Sequence, residues 1–221
     1  MERHVLVIFP HPDDEAFGVS GSIALYRKQG TPVTYMCGTL GEMGRNMGNP
    51  PIATRETLPQ IRKAELQKAC EAVGIEDLRM LGFRDKTLEF EEPEKLITLV
   101  RDAIDELKPS LIITFYPGYC VHPDHEAMAA AVMEAVRRTP ESERPTVHAL
   151  AFAHNSEEDL GKPDIIRDVS EVIEQKREAI NAHQSQIHGL SNAVKSREQV
   201  EDDEQLIEWM KTEHFWTYTF S

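Results

Sequence analysis

The chain has 221 residues, 40% of them hydrophobic and 28% charged, and its 24 Lys and Arg against 38 Asp and Glu give a net charge of −14. That acidic balance excludes nucleic acid and anionic membrane surfaces as main partners, because both are bound through cationic patches, and the densest basic clusters here, Arg137-Arg138 and Lys176-Arg177, are only pairs. Three widely spaced cysteines (Cys37, Cys70, Cys120) and a charged start without a signal-peptide apolar region predict a cytoplasmic, reducing setting, and no apolar run approaches the roughly 20 residues of a membrane span.

Val5–Phe9 is a continuous apolar run of strand length, the pattern of a strand buried on both faces of a parallel sheet. A helix is expected over Asp13–Gln29, stopped by Gly30 and Pro32, and a second strand over Val33–Cys37. Gly38–Pro51 is rich in glycine and poor in large apolar residues and reads as a long loop, a kind usually functional in compact domains. Helices follow over Thr54–Val73, Pro93–Leu107, Pro123–Arg138, Val172–His183 and Gln199–Lys211, with strands over Leu78–Leu81, Ser110–Phe115, Thr146–Ala153 and Ile165–Val169. Strands alternating with helices predict an α/β fold, a Rossmann-like, mostly parallel sheet flanked by helices, in one domain over residues 1–221.

Two strands end in the same short pattern. His11-Pro12-Asp13-Asp14-Glu15 follows the first strand, and His122-Pro123-Asp124-His125-Glu126 follows the strand over Ser110–Phe115. Each proline suits the first position of a helix, so each pattern sits where a strand's carboxyl end feeds a helix N-terminus, the edge at which open α/β sheets bind ligands. A single His-Pro-Asp is an ordinary helix entry; two of them, both dense in ligand-type side chains, predict a metal site. His11 and Asp14, three residues apart, converge on one helical turn, and with His125 they make two imidazoles and one carboxylate, a recognised catalytic zinc set. A cation there relieves the repulsion among the clustered carboxylates, and lowers the pKa of a bound water from about 15.7 to about 7. Asp13 is then free to act as general base. His122 is positioned either to protonate a leaving nitrogen or to stabilise an oxyanion, with Asp124 behind it to orient the ring.

At these residues the sequence resembles the PIG-L/LmbE family of metal-dependent N-acetylglucosaminyl deacetylases. The resemblance extends over Gly38–Gly44, Arg62-Lys63-Ala64-Glu65, Gly82-Phe83-Arg84-Asp85 and His183-Gln184-Ser185-Gln186, from about residue 4 to 190, and is strongest to the bacillithiol-biosynthesis branch. It implies an LmbE-like fold and a hydrolase that removes acetate from an N-acetylglucosaminyl conjugate such as the malate glycoside. It implies zinc, with ferrous iron as the alternative in the cell, on His11, Asp14 and His125, with Asp13 as base, His122 as acid or electrophile and Asp124 behind it; the hydrolysis expected from this set has the cation stabilise the oxyanion and His122 protonate the departing amine. It also implies sugar contacts from Arg62 and Asp85, and a homo-oligomer, a trimer or a hexamer. The sequence departs from the family pattern where relatives often carry Tyr two residues before the first His of the second motif; that position is Cys120, with Tyr119 beside it.

Arg62 suits a bidentate carboxylate clamp and otherwise a solvated helix surface, and Arg55 is a second candidate. Asp85 suits a hydroxyl acceptor and otherwise a turn. Glu42 and Arg45 lie in the glycine-rich loop, where they could close over substrate, and His183 reads as a helix cap or as support for the site. His4, His148, His154, His188 and His214 read as structural or exposed, and the Trp209–Phe220 end as core or subunit packing. Two readings compete with the deacetylase: a hydrolase of another acylated amino sugar, and a metal-binding module without catalysis. A dinucleotide-binding oxidoreductase is disfavoured, because Phe9–Glu15 lacks GxGxxG and puts carboxylates where a pyrophosphate would sit.

Overall fold

A computed structural model describes residues 1–187 and 204–220; His188 and the first part of the helix expected over Gln199–Lys211 lie outside the described residues. Among the described residues seven strands form one sheet: β1 (Val5–Phe9), β2 (Val33–Thr39), β3 (Asp77–Phe83), β4 (Leu111–Phe115), β5 (Thr146–Leu150), β6 (Ile165–Asp168) and β7 (Thr212–Thr217), in the order β3-β2-β1-β4-β5-β7-β6. The first five are parallel, whereas β7 runs antiparallel to both β5 and β6. The sheet is therefore mixed, with a central parallel part. The strand β7 lies in the segment that the sequence marked only as core or subunit packing.

The alternation of β1 explains why both of its faces are apolar. Val5, Val7 and Phe9 join Tyr35, Cys37, Leu111, Ile113 and Phe115 in one core. Leu6 and Ile8 join Met36, Ile112, Val147 and Ala149 in the other. The first face is covered by α2 (Ser20–Lys28), α3 (Leu58–Val73), α7 (Ile173–Ala182) and α8 (Glu204–Lys211); the second by α4 (Pro93–Leu107) and α5 (Pro123–Arg137). Proline opens α4 and α5 at the first turn, where no backbone donor is needed.

The helix expected from Asp13 is two helices, α1 (Asp14–Gly18) and α2, broken at Val19, whose φ of −145° leaves the helical region. A tertiary contact supplies what the break leaves open. The carboxylate of Glu213 on β7 accepts the freed N–H groups of Gly21 and Ser22 at 2.9 and 2.8 Å and pairs with the buried Lys176 ammonium at 3.0 Å. The absence of a side chain at Gly21 lets Val169 pack against this turn, since a Cβ there would come within 2.6 Å of it. A short helix, α6 (Ser156–Leu160), stands in the β5–β6 connection.

Candidate active site

The two His-Pro-Asp patterns leave the carboxyl ends of β1 and β4, and these strands are direct parallel neighbours, Val5 opposite Leu111 and Val7 opposite Ile113. From β1 the chain proceeds to β2 and β3 on one side, while β4 and β5 lie on the other. The order reverses between β1 and β4, and the crevice at such a switch point is where α/β sheets place ligands. His11, Asp13 and Asp14 face His122, Asp124 and His125 across it.

His11 stands at the centre. Its Nδ1 lies 3.1 Å from His125 Nε2 and 3.6 Å from Asp14 Oδ2, while the other Asp14 oxygen is 3.4 Å from His125 Nε2. Tetrahedral zinc, with bonds of about 2.0–2.1 Å, spaces its ligand atoms about 3.3 Å apart, so these three side chains fit the cation that their chemistry suggests. Both imidazoles are braced from behind. His125 Nδ1 lies 3.0 Å from the Cys120 carbonyl, and Phe115 stacks on the same ring at 4.2 Å. His11 Nε2 lies 3.1 Å from Asp124 Oδ2 and 3.2 Å from Asp85 Oδ1. A metal-binding histidine commonly gives its second nitrogen to a carboxylate in this way. Other groupings of potential ligands overlap here, His11 with His122 and His125, and His11 with Asp85 and Asp124; the second uses the nitrogen of His11 that faces away from His125.

The electrostatics follow from this crowding. Burial alone would lower the His11 pKa, but hydrogen bonds to Asp124 and Asp85 and the charge of Asp14 raise it to about 10. Burial opposes ionisation of Asp14, yet His125 and His11 hold its carboxyl below the ordinary range. Asp13 goes the other way: burial and the charge of Asp14 push it up to about 6 against the pull of Arg62. Burial, then the charges of His11 and His125, lower His122. The Nδ1 atom of His122 accepts the Asp124 backbone N–H at 3.1 Å and so caps α5. Its proton in the neutral ring therefore belongs on Nε2.

Several predicted contacts are placed differently. Asp124 does not stand behind the His122 ring: its fully buried carboxylate takes His11 Nε2 and the backbone N–H groups of Lys86 (2.6 Å) and Leu88 (3.1 Å). The register of the first helical turn turns it toward β1. Arg62, read as a carboxylate clamp, is only 4% exposed. Its two terminal nitrogens engage Asp13 Oδ2 at 2.9 Å, the Pro12 carbonyl and the Gly41 carbonyl, and it packs so closely on Gly41 (φ 63°) that a Cβ there would lie 1.8 Å from it. Asp85, read as a hydroxyl acceptor, is buried between His11 and the Met43 N–H (2.8 Å).

Glu42 accepts the Asp85 backbone N–H at 3.1 Å, and Arg55 donates to the Gly44 carbonyl at 2.8 Å, so both tie the glycine-rich loop together beside the site. The Tyr119 hydroxyl donates to Asp159 at 3.3 Å. Cys120 is buried, and burial pushes its thiol up. A cavity of about 980 Å³ reaches the site at Asp14 and Phe115, walled by Leu150, Phe152 and Trp216; His154 and His214 line it, whereas His4 is bonded to Thr34.

Sequence reasoning passed over Glu15 and Tyr35. Glu15 Oε2 accepts the Asp13 backbone N–H at 3.0 Å and the Tyr35 hydroxyl at 3.1 Å, and Oε1 lies 2.8 Å from His183 Nε2. The available signals were an acid leading into an otherwise apolar turn and a lone phenol within the apolar run of β2.

Residues 6–136 match the family model described as PIG-L: GlcNAc-PI de-N-acetylase, and the chain belongs to this family. A Bacillus cereus protein named "Probable N-acetyl-alpha-D-glucosaminyl L-malate deacetylase 2" is 53% identical over 99% of this chain and 99% of its own length. Among solved structures, the N,N'-diacetylchitobiose deacetylase of Pyrococcus horikoshii superposes with a TM-score of 0.73 at 23% identity, over 98% of this chain and 84% of that one. GalB, a 4-carboxy-2-hydroxymuconate hydratase of Pseudomonas putida, superposes with a TM-score of 0.75 at 19% identity, over 99% and 97%. These structural likenesses concern the fold, and one fold hosts different reactions; the side chains at the site decide which.

Proposed function

We propose that the chain is a metal-dependent N-deacetylase that hydrolyses the acetamide of N-acetyl-α-D-glucosaminyl L-malate, the compound in its B. cereus relative's name. The observation that carries the chemistry is the convergence of His11, Asp14 and His125 within 3.1–3.6 Å of one another beside a carboxylate, Asp13, whose pKa lies at about 6.

His11, Asp14 and His125 would hold the cation. Two imidazoles and a carboxylate suit zinc, and the same triad suits ferrous iron. When bound, the cation supplies Lewis acidity and a more acidic water. Asp13, ionised above about pH 6, accepts a proton from the attacking water as its oxygen bonds to the acetamide carbon. The same carboxyl then returns that proton to the glucosamine nitrogen as the C–N bond breaks, and acetate leaves. His122 is kept neutral by burial and by its charged neighbours, with Nδ1 occupied by the α5 cap. Its Nε2–H therefore serves as a donor to the oxygen that becomes anionic, rather than as an acid toward the amine. Arg62 orients Asp13, and Asp124 and Asp85 orient His11. The three cysteines are free and buried, which suits a reducing cytosol.

The test is acetate release from N-acetylglucosaminyl malate against free N-acetylglucosamine, with metal content measured on the same preparation. Asp13→Ala should retain the metal and lose about 10²–10⁴-fold in kcat. Near wild-type turnover by this variant refutes the assigned base, and preference for another acylated sugar refutes the substrate.

A further inference from the structure

Glu15, Tyr35 and His183 have no part in the chemistry above, yet each is fully buried; Glu15 reaches the backbone of Asp13, and Tyr35 and His183 both reach Glu15. The Glu15 carboxylate has three donors facing it from three parts of the chain: His183 Nε2 (2.8 Å) at the end of α7, the Tyr35 hydroxyl (3.1 Å) on β2, and the Asp13 N–H (3.0 Å). The Tyr35 hydroxyl also lies 3.2 Å from the His11 carbonyl oxygen, so this phenol touches both sides of the motif.

Asp13 itself has a φ of 123°. A residue with a Cβ adopts such a conformation only where its surroundings impose it. The group that Glu15 holds is the N–H of this same residue. The outcome is visible in the side chains: Asp14 faces His11 and His125, whereas Asp13 is turned to Arg62. Adjacent carboxylates with different tasks need such a divergence, and helical spacing alone does not supply it.

We propose that Glu15, braced by His183 and Tyr35, is a positioning residue that holds Asp13 in its strained backbone conformation and so keeps the base apart from the metal-binding carboxylate. The inference rests on the reading of Asp13 as the base. A buried polar cluster with only a packing role would lower stability when cut, without acting through Asp13.

The test compares His183→Leu, which removes the donor to Glu15, with His183→Gln, which offers an amide N–H in its place. Each is made in the wild-type protein and in Asp13→Ala, and metal per chain, kcat and KM are measured. His183→Leu should lower kcat about 10–100-fold, the range for partners that orient a site's working groups, with KM within about twofold and metal content unchanged. His183→Gln should recover most of the loss, and in Asp13→Ala the His183→Leu change should cost nothing further. Tyr35→Phe, which deletes one hydroxyl, should show the same dependence on Asp13 and serves if His183→Leu fails to fold. Wild-type kcat in both His183→Leu and Tyr35→Phe, or a full additional loss in Asp13→Ala, overturns the proposal. Near wild-type activity of Asp13→Ala alone overturns the assignment of the base, and the brace falls with it.

Discussion

Replacing Asp124 with Asn keeps the side chain's size and removes its charge, at the point where β4's motif grips β1's histidine. In the wild-type protein Oδ2 accepts Lys86 N–H at 2.6 Å and lies 3.1 Å from His11 Nε2, while Oδ1 accepts Leu88 N–H at 3.1 Å. An amide has one acceptor oxygen, so either Leu88 or the Lys86–His11 pair meets an NH₂ group. Left facing a donor, a buried N–H costs about 1–3 kcal/mol. His11 can relieve the mismatch by moving its proton from Nε2 to Nδ1, but that blocks the nitrogen facing His125 and Asp14. Asp85 Oδ1, 3.2 Å from the same Nε2, opposes that shift and limits the damage. The expected result is metal affinity weakened about 10–100-fold, or about 1.4–2.7 kcal/mol, measured by competition with a chromogenic chelator. Activity at saturating metal should fall less than activity at limiting metal. An Asn variant that holds metal as tightly as wild type, with the fold intact by circular dichroism, would refute the claim that Asp124 works through His11.

Arg62→Met should move the acid limb of the kcat/KM profile to higher pH, because Arg62 holds the Asp13 pKa down against burial; a rise in KM with an unmoved limb would instead return Arg62 to the substrate. Cation binding at pH 7 should release about one proton, since His11 is raised to about 10, and apparent affinity should climb up to about tenfold per pH unit below that value, measured by calorimetry in buffers of different ionisation enthalpy. The same raised pKa stabilises the chelated protein fully below about 6.5 and no longer once pH has passed 10, so its Tm should fall across that window. Lys176→Met leaves Glu213 buried without its ammonium partner and should cost about 3–5 kcal/mol in urea unfolding; a loss below about 1 kcal/mol would mean that the Gly21 and Ser22 N–H groups suffice.

The parts legible in the sequence are those fixed by local chemistry. The apolar runs of β1 and β4, the prolines opening α4 and α5, and the paired His-Pro-Asp patterns each announce themselves within a few residues, and the two patterns meet where a switch point requires. What escaped depends on approach in space. Nothing in the spacing of Asp124 says that its carboxylate turns to a histidine 113 positions away, and nothing in the sequence around Arg62 says that its guanidinium runs over Gly41 to Asp13. The break at Val19 is invisible locally because the group that satisfies it, Glu213, lies on another strand. The strand β7 is not legible, because it follows a helical pattern directly and its aromatic residues suit packing of any kind.

The contact between Glu213 and Gly21 joins positions 192 residues apart. At synthesis rates of about 5–20 residues per second, the polypeptide carrying the first motif waits about 10–40 s on the ribosome before the clamp for its helix break exists. During that interval β1 can pair with β2 and β4, but the first turn of α2 lacks the carboxylate that caps it. Nascent chains of this protein are thus expected to acquire the parallel part of the sheet well before the start of α2 is clamped in place.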